Sequence, residues 1–231
     1  MKSLTDLSQL LGIVVPLSWA AAVSPVPLMI FLVMMTLTDK PRLAGVSFYL
    51  GAVLILLFTV IIGIWLGNSL SSTGNSNTGV AATIDLIFGA VLLLLGIKSL
   101  FEKSDTEGPV VKYMDVGSAA STATKFKHYF IIGIFIFFVN FSTAMLVMSA
   151  GMKIGLADAG TFNNIIAVIV ITIITMIIIE VPLILFFILP KATEKAMEGL
   201  KGWLAKYGNV ITGVFFIFLG IVLLNSGLGQ L

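Results

Sequence analysis

The residues of this sequence that could hold a ligand lie in two short polar clusters within otherwise apolar runs. One is the Ser-Pro-Val-Pro element at 24–27, and the other is the Asn-Phe-Ser-Thr element at 140–143. A proline removes an amide donor from a helix and opens its hydrogen-bond ladder. Opened backbone inside a membrane is tolerated where protein or a water-filled cavity surrounds it, and broken helices of this kind form binding sites near the membrane midplane. The candidate substrate-binding residues are Ser24, Pro25, Pro27, Asn140, Ser142 and Thr143.

A purely structural interpretation of the proline pair is also open. Pro25 leaves the carbonyl of Ala21, four residues earlier, without its helical donor. Pro27 does the same to the carbonyl of Val23. In a kinked packing helix, nearby hydroxyl groups would bond back to their own backbone, and no ligand would be involved. The second polar cluster favours a binding site, because Asn140 and its neighbours could face the opened backbone from another helix.

Two acidic residues fall inside or near the apolar runs. Glu180 precedes Pro182 in the run 162–189, where an acidic side chain costs about 2.5 to 3.5 kcal/mol on insertion scales. It is a candidate proton-coupling group. Its structural alternative is a neutral acid that donates to the carbonyl of Ile178, which Pro182 leaves free. Asp85 is the second proton-coupling candidate, and stabilisation of a helix N-terminus is its structural alternative.

The elements that must position these residues are predicted to be membrane-spanning helices. Of the 231 residues, 58% are hydrophobic and 10% are charged, and the mean hydropathy is +1.13, far from the composition of soluble domains. An apolar run of about 20 residues spans the hydrocarbon core as a helix. The predicted fold class is an all-α membrane protein with six transmembrane helices, of which the first and fourth are broken. The six runs are 9–36, 43–67, 80–101, 129–152, 162–189 and 207–226.

Composition also excludes several classes of protein. The chain has no cysteine and one histidine, so disulfides, thiolate chemistry and histidine-based metal sites lack their residues. No nucleophile is grouped with a base, and we expect neither an enzyme nor a cofactor. The net charge of +2 is too small to indicate nucleic-acid binding. The expected partners are membrane lipids and a small or lipid-linked substrate.

Basic residues predict the orientation of the chain. Eleven of the 13 Lys and Arg residues lie near the connections that follow the first, third and fifth runs, and the exceptions are Lys2 and Lys153. Connections rich in Lys and Arg remain in the cytoplasm. The sequence therefore predicts a multi-pass protein of the cell (plasma) membrane with both termini outside.

The two halves of the chain carry the same pattern in their third apolar run. In the first half, Gly89 and Gly96 follow a polar residue. In the second half, Gly213 and Gly220 follow a polar residue at the same spacing. A unit of three spans is odd, so consecutive copies have opposite orientations in the membrane and form an inverted repeat. The predicted domains are a first three-helix repeat at 1–101, a cytoplasmic linker at 102–128 and a second three-helix repeat at 129–231.

Several short motifs are informative through their order. They are AAAVSPVPL at 20–28, the basic connection with Pro41 and Arg42, Glu-Val-Pro at 180–182 and Gly-Trp-Leu at 202–204. With this order, nearly the full chain resembles the GAP family of the lysine-exporter (LysE) superfamily, the peptidoglycolipid and sulfolipid addressing proteins. The resemblance implies six helices in two inverted repeats and export of a small or lipid-linked solute, such as a cell-envelope glycolipid.

The predicted function is that of a secondary transporter, which exports a small or lipid-linked amphipathic solute by alternating access with proton coupling. The competing hypothesis is a non-transporting integral membrane partner of a lipid-export complex. A homodimer is a further expectation. The small-xxx-small elements at 63–67 and 151–155 could mediate dimerisation, and packing within one chain explains them equally well.

Overall fold

The architecture is all-helical in the part of the chain that the structure describes. In a computed structural model, the described residues are 2–71, 77–101, 120–157 and 159–229, and none of them forms a strand. They form eight helices, which are α1 (Lys2–Ala22), α2 (Pro25–Leu37), α3 (Pro41–Ser71), α4 (Asn77–Phe101), α5 (Thr122–Val139), α6 (Phe141–Ala157), α7 (Thr161–Ile188) and α8 (Pro190–Leu228).

Several of these helices are long and apolar enough to cross a membrane, which indicates a membrane protein. Among the described residues, three helices qualify alone, and α1 with α2 would be a fourth span that bends by 49° at its break. Three further apolar helical stretches are shorter. The single candidates are Pro41–Ser69, Thr122–Val139 and Thr161–Ile188; the bent pair is Leu7–Ala22 with Val26–Thr36; the shorter stretches are Leu86–Phe101, Phe141–Ala157 and Phe216–Asn225.

The segment predicted as a linker, 102–128, is described only at its end. Residues 102–119 lie outside the described residues, and α5 begins at Thr122. Ser121 caps this helix, because its hydroxyl oxygen accepts a hydrogen bond from the Thr124 amide at 3.2 Å. The cap places the first turns of α5 within the segment assigned to the linker.

Glycines allow α3 to approach α6 at backbone distance. Gly63 faces Gly151, and a Cβ atom added at Gly63 would lie 3.0 Å from the Cα of Gly151. Gly67 faces Gly155 in the same way. Both small-xxx-small elements are therefore in contact with each other inside one chain, as in close helix pairs of membrane proteins.

A second glycine interface joins α4 to α8. A Cβ atom added at Gly89 would lie 2.9 Å from the carbonyl oxygen of Gly220, and the reverse distance is also 2.9 Å. Gly96 and Gly213 oppose each other at the same 2.9 Å in both directions. The order of the glycines along α8 is the reverse of their order along α4, so the two helices are antiparallel.

Aromatic packing joins both broken helix pairs to α3. The ring of Phe48 in α3 lies 5.5 Å from that of Phe31 in α2 and 6.4 Å from that of Phe137 in α5. Phe31 and Phe48 are fully buried. These edge and tilted contacts are typical of stable aromatic pairs, and they hold α2 and α5 against α3.

An ion pair connects the α2–α3 connection to the start of α5. Lys125 Nζ donates hydrogen bonds to both carboxylate oxygens of Asp39, each at 2.7 Å. The Lys125 side chain is buried, with 2% exposure, whereas that of Asp39 is 47% exposed. The hydrogen bond and positive charge of Lys125 hold the pKa of Asp39 below its ordinary value, against the opposing effect of desolvation.

Two further hydrogen bonds join the same segments. The Tyr129 hydroxyl donates to Thr38 Oγ1 at 2.8 Å. Lys40 Nζ donates to Thr122 Oγ1, also at 2.8 Å. Together with the ion pair, these contacts form a clasp between the α2–α3 connection and α5. The clasp therefore joins the first half of the chain to the second. It lies where α2 ends and α5 begins.

Gly63→Ala should lower the free energy of unfolding by about 1 to 3 kcal/mol, as expected when a methyl group is forced into a packed contact. The added Cβ would overlap the carbonyl oxygen of Met148. Gly12→Ala is a matched control, because nothing lies within 4 Å of its added Cβ and alanine is favoured over glycine in a helix. Thermal unfolding in detergent measures both, and equal melting temperatures for the two variants would contradict the close α3–α6 contact.

Asp39→Asn should lower the melting temperature at neutral pH, because it removes the carboxylate that faces the buried Lys125. The folded-state pKa of Asp39 is below its ordinary value of 3.8, so the wild-type stabilisation is present above that value and is lost as the pH falls through the lowered pKa. The melting curves of the two proteins should therefore converge in acid. A difference that stays constant with pH would show that the ion pair is not its cause.

Candidate functional site

The two helix breaks meet through the side chain of Asn140. Its Nδ2 donates to Ser24 Oγ at 2.8 Å and to Thr143 Oγ1 at 3.0 Å. Its Oδ1 accepts a hydrogen bond from the Ser142 hydroxyl at 2.9 Å. The predicted site residues Ser24, Asn140, Ser142 and Thr143 thus form one hydrogen-bonded cluster, the polar junction.

The polar junction also satisfies backbone that the first break opens. The Thr143 hydroxyl donates to the carbonyl oxygen of Ala21 at 3.2 Å. The helical donor for that carbonyl would be residue 25, which is a proline without an amide proton. Ser24 and Thr143 are 5% and 3% exposed, so the compensation takes place away from solvent.

The second break differs from the first because it is a single residue. Asn140 has φ −74° and ψ 76°, outside the helical region. Its amide still donates to the carbonyl of Ile136 and its carbonyl still accepts from the amide of Ala144, both at 3.0 Å. The chain therefore changes direction between α5 and α6 while the backbone of Asn140 takes part in both helices. Ser24, by contrast, is extended (φ −93°, ψ 112°) and precedes the prolines at the start of α2.

A cavity of about 420 Å³ lies beside the polar junction, between α2, α4, α5, the start of α6 and α8. Its volume is in the usual range for small-molecule sites. Most of its surface is apolar, and a smaller polar part contains one ammonium group. The apolar walls come from Val26, Ile30, Leu95, Phe135, Phe141 and Phe216. The polar lining residues are Lys98, Ser99, Asn140 and Ser142.

The predicted binding residues differ in whether they line the cavity. Asn140 and Ser142 line it, whereas the buried Ser24 and Thr143 support Asn140 from behind. Pro27 is buried in the first turn of α2. Pro25 is the first residue of that helix, and its side chain lies outside the described part of the structure. The arrangement presents an amide and a hydroxyl at the edge of an apolar space, which suits an amphipathic ligand.

Glu180, one of the two acidic candidates, does not line the cavity. Glu180 Oε1 in α7 accepts a hydrogen bond from the Tyr49 hydroxyl of α3 at 2.6 Å, and neither residue is among those that line the cavity. Asp85 belongs to α4, and its side chain is not in the described part of the structure. The carboxyl group of Glu180 therefore adds a hydrogen bond between α7 and α3, away from the polar junction.

Sequence patterns do not single out Tyr49 or Lys98. Tyr49 is one hydroxyl in a long apolar helix, and its distance from Glu180 along the chain conceals the contact. Lys98 lies in the last turn of α4, where a basic residue indicates orientation and favours the helix C-terminus. The available signal was its position one turn inside the end of an apolar run, which places it within reach of a cavity between helices.

Apolar helices around a buried junction define the class of protein as a helical membrane protein, and an amphipathic cavity lies beside that junction. Residues 14–229 match the family model SfLAP, described as Sap, sulfolipid-1-addressing protein, and the chain belongs to this family. Membership confirms the resemblance to the sulfolipid addressing proteins. Among curated proteins and among solved structures, nothing matches the chain significantly.

Asn140→Ala should destabilise the protein by about 1 to 3 kcal/mol, because buried hydroxyl groups lose their donor. Ser24 and Thr143 both receive a hydrogen bond from this amide. Ser142→Ala is the matched control, since it removes a single bond to Asn140 Oδ1 beside the cavity. Thermal unfolding of the two variants should show the larger loss for Asn140→Ala. An equal or smaller loss would mean that the junction does not hold the breaks together.

Proposed function

We propose that the protein is a secondary exporter that carries an amphipathic, lipid-linked solute across the membrane by alternating access. Membership of the sulfolipid-1-addressing family suggests involvement in lipid export or addressing. The observation that carries the proposal is the cavity beside the polar junction, whose apolar walls suit an acyl chain and whose polar edge suits a head group. Cell-envelope glycolipids are the solutes of this kind that we expect.

The proposed architecture is six spans in two inverted repeats, the plan expected of the LysE superfamily. Each half would begin with a broken helix, α1–α2 in the first and α5–α6 in the second. The glycine contacts support this symmetry. An inverted repeat that relates Gly89 to Gly213 and Gly96 to Gly220 would exchange the two α4–α8 contacts with each other, as their equal distances suggest. The basic connections favour cytoplasmic placement, with both termini outside the cell membrane.

Alternating access requires one contact between the two halves of the chain that stays intact and another that opens. We assign the holding role to the polar junction, because its groups are buried and bonded to each other. The clasp is the contact proposed to release, since it is polar, partly exposed and lies between the α2–α3 connection and α5. Opening the clasp would let α2 and α5 separate on that side and expose the cavity.

Glu180 is the proposed proton-coupling group. Its hydrogen bond to Tyr49 joins α7 to α3, so gain or loss of a proton would change a contact between the two halves. Asp85 remains the second candidate on sequence grounds. A homodimer also remains a proposal, and it would use surfaces other than the glycines at 63–67 and 151–155, which face each other within the chain.

The alternative function is a non-transporting partner of a lipid-export complex. The family description favours it as much as transport, because addressing a lipid does not by itself require a carrier. Reconstitution of the purified protein alone separates the two. Flux of a fluorescent glycolipid in vesicles that contain no second protein would favour the exporter, and its absence for every lipid tried would favour the partner.

In the same vesicles, Glu180→Gln should keep lipid binding and abolish the dependence of flux on a pH gradient, because the amide cannot exchange a proton. Tyr49→Phe tests the contact, as it removes only the hydroxyl group. Gradient-dependent flux in Glu180→Gln would exclude this residue from the coupling mechanism.

In these vesicles, a Pro25→Ala, Pro27→Ala double variant should insert normally and lose flux, with Gly12→Ala as a control that keeps it. Normal flux in the proline variant would exclude the broken first helix from the transport mechanism.

A further inference from the structure

The first half of α8 is longer than the depth of the bundle beside it. Phe216 of α8 and Val26 of α2 line the same cavity. From Phe216 back to Pro190, the start of α8, an α-helix is about 39 Å long at 1.5 Å per residue. From Val26 to Leu37, the end of α2, the same rise gives about 17 Å.

Both of these paths finish at the same end of the bundle. Three residues, 38–40, separate α2 from the start of α3. Phe187, near the end of α7, lies there too, because the guanidinium carbon of Arg42 in α3 is 5.6 Å from the centre of its ring. Since α8 begins directly after α7, its longer path must run obliquely. The first half of α8 therefore extends largely across this end of the bundle.

This half of α8 has an exposed apolar face. Leu200, Trp203 and Tyr207 are 36%, 49% and 41% exposed, and their spacing of three and four residues places them on one side of the helix. The rings of Trp203 and Tyr207 lie 5.9 Å apart. Lys195 and Lys206 are exposed on a different side, which they share because 11 residues complete about three turns. The segment is amphipathic.

The exposed face is continuous with the apolar surface of the neighbouring helices. Ile188 and Leu189 are exposed where α7 ends, and Val210 and Val214 are exposed further along α8. Exposed apolar side chains of a membrane bundle contact the hydrocarbon of the bilayer. The Trp203–Tyr207 pair lies between these two groups, and tryptophan and tyrosine are enriched at the boundary between hydrocarbon and water.

We propose that the segment 190–207, the surface segment, binds the surface of the bilayer on the side where α7 ends. Leu200, Trp203 and Tyr207 would enter the boundary of the acyl chains. Lys206, whose Nζ lies 5.1 Å from the centre of the Tyr207 ring, would extend to the head groups. The contact is mainly apolar, so a bilayer without net charge suffices. It would fix the direction of α8 and thereby the position of Phe216 in the cavity wall, in an exporter and in a non-transporting partner alike.

The test uses single-tryptophan variants of the full-length protein in vesicles of phosphatidylcholine. Trp19→Phe and Trp65→Phe leave Trp203 as the remaining tryptophan, and both replaced side chains are exposed. The matched control adds Trp203→Phe and Lys195→Trp, which moves the indole to the other side of the helix. Phosphatidylcholine with brominated acyl chains should quench Trp203 several-fold more strongly than the indole of the control. Acrylamide in the water should quench the two in the opposite order.

Two results would overturn the proposal. Strong quenching of both indoles by acrylamide would show that the surface segment extends into water. Weak quenching of Trp203 by both reagents would show that protein covers the face, as in a contact with a second copy of the chain. Melting temperatures of the variants, compared with that of the wild type, check that the fold is unchanged.

A second measurement keeps all three tryptophans, in case their replacement disturbs the fold. The chain has no cysteine, so Leu200→Cys and Lys195→Cys each introduce a single thiol. In the same vesicles, a water-soluble maleimide should react several-fold more slowly with the Leu200→Cys variant than with the Lys195→Cys variant. Equal rates would contradict burial of this face in the bilayer. Neither measurement depends on lipid flux, so the outcome is separate from that of the proposed function.

Discussion

A carbonyl that loses its helical partner inside an apolar bundle must find another donor, and this requirement joins the two broken helices. Residue 25 is a proline, so the carbonyl of Ala21 receives its hydrogen bond from Thr143 of another helix. Asn140, at the second break, donates to Thr143 and to Ser24. The second break therefore supplies the donor that the backbone of the first break lacks, and Ser24 at the first break accepts a hydrogen bond from Asn140 in return.

The same constraint determines which polar groups the junction presents to the cavity beside it. Polar groups at membrane depth are costly unless they are hydrogen-bonded, and the junction uses the amide protons of Asn140 and the hydroxyl protons of Ser142 and Thr143 internally. What remains at its edge is a set of acceptors beside apolar side chains. Such a surface is stable when empty, because its amide and hydroxyl groups already have partners. Under the proposed function, a head group that brings its own donors would gain contacts there without breaking the bonds that hold the helices.

The sequence alone predicts the two helix breaks but not the residues that surround the candidate site. The prolines at 25 and 27 have a local effect on backbone hydrogen bonds, so the end of α1 and the polar facing cluster at 140–143 follow from residue types and spacing. Lys98 and Tyr49 were not predictable in this way, because their roles depend on which helices pack together. The bounds of the short helices were also not predictable from the sequence. α2 has 13 residues and α6 has 17, so neither is long enough to be recognised as a separate membrane span.

The interfaces of the bundle differ in how readily they could move. At the α3–α6 and α4–α8 contacts, glycines bring backbone against backbone, and any sliding would drive side chains into main-chain atoms. The clasp consists of side-chain hydrogen bonds, and water reaches the carboxylate of Asp39 although Lys125 and Tyr129 are buried. The α3–α5 contact is equally close, because a Cβ atom added at Gly51 or Gly133 would overlap a carbonyl oxygen of the other helix. Opening of the clasp would therefore leave α5 packed against α3 and α6, and the motion would fall on the α2–α3 connection, where Thr38 and Asp39 lie outside both helices.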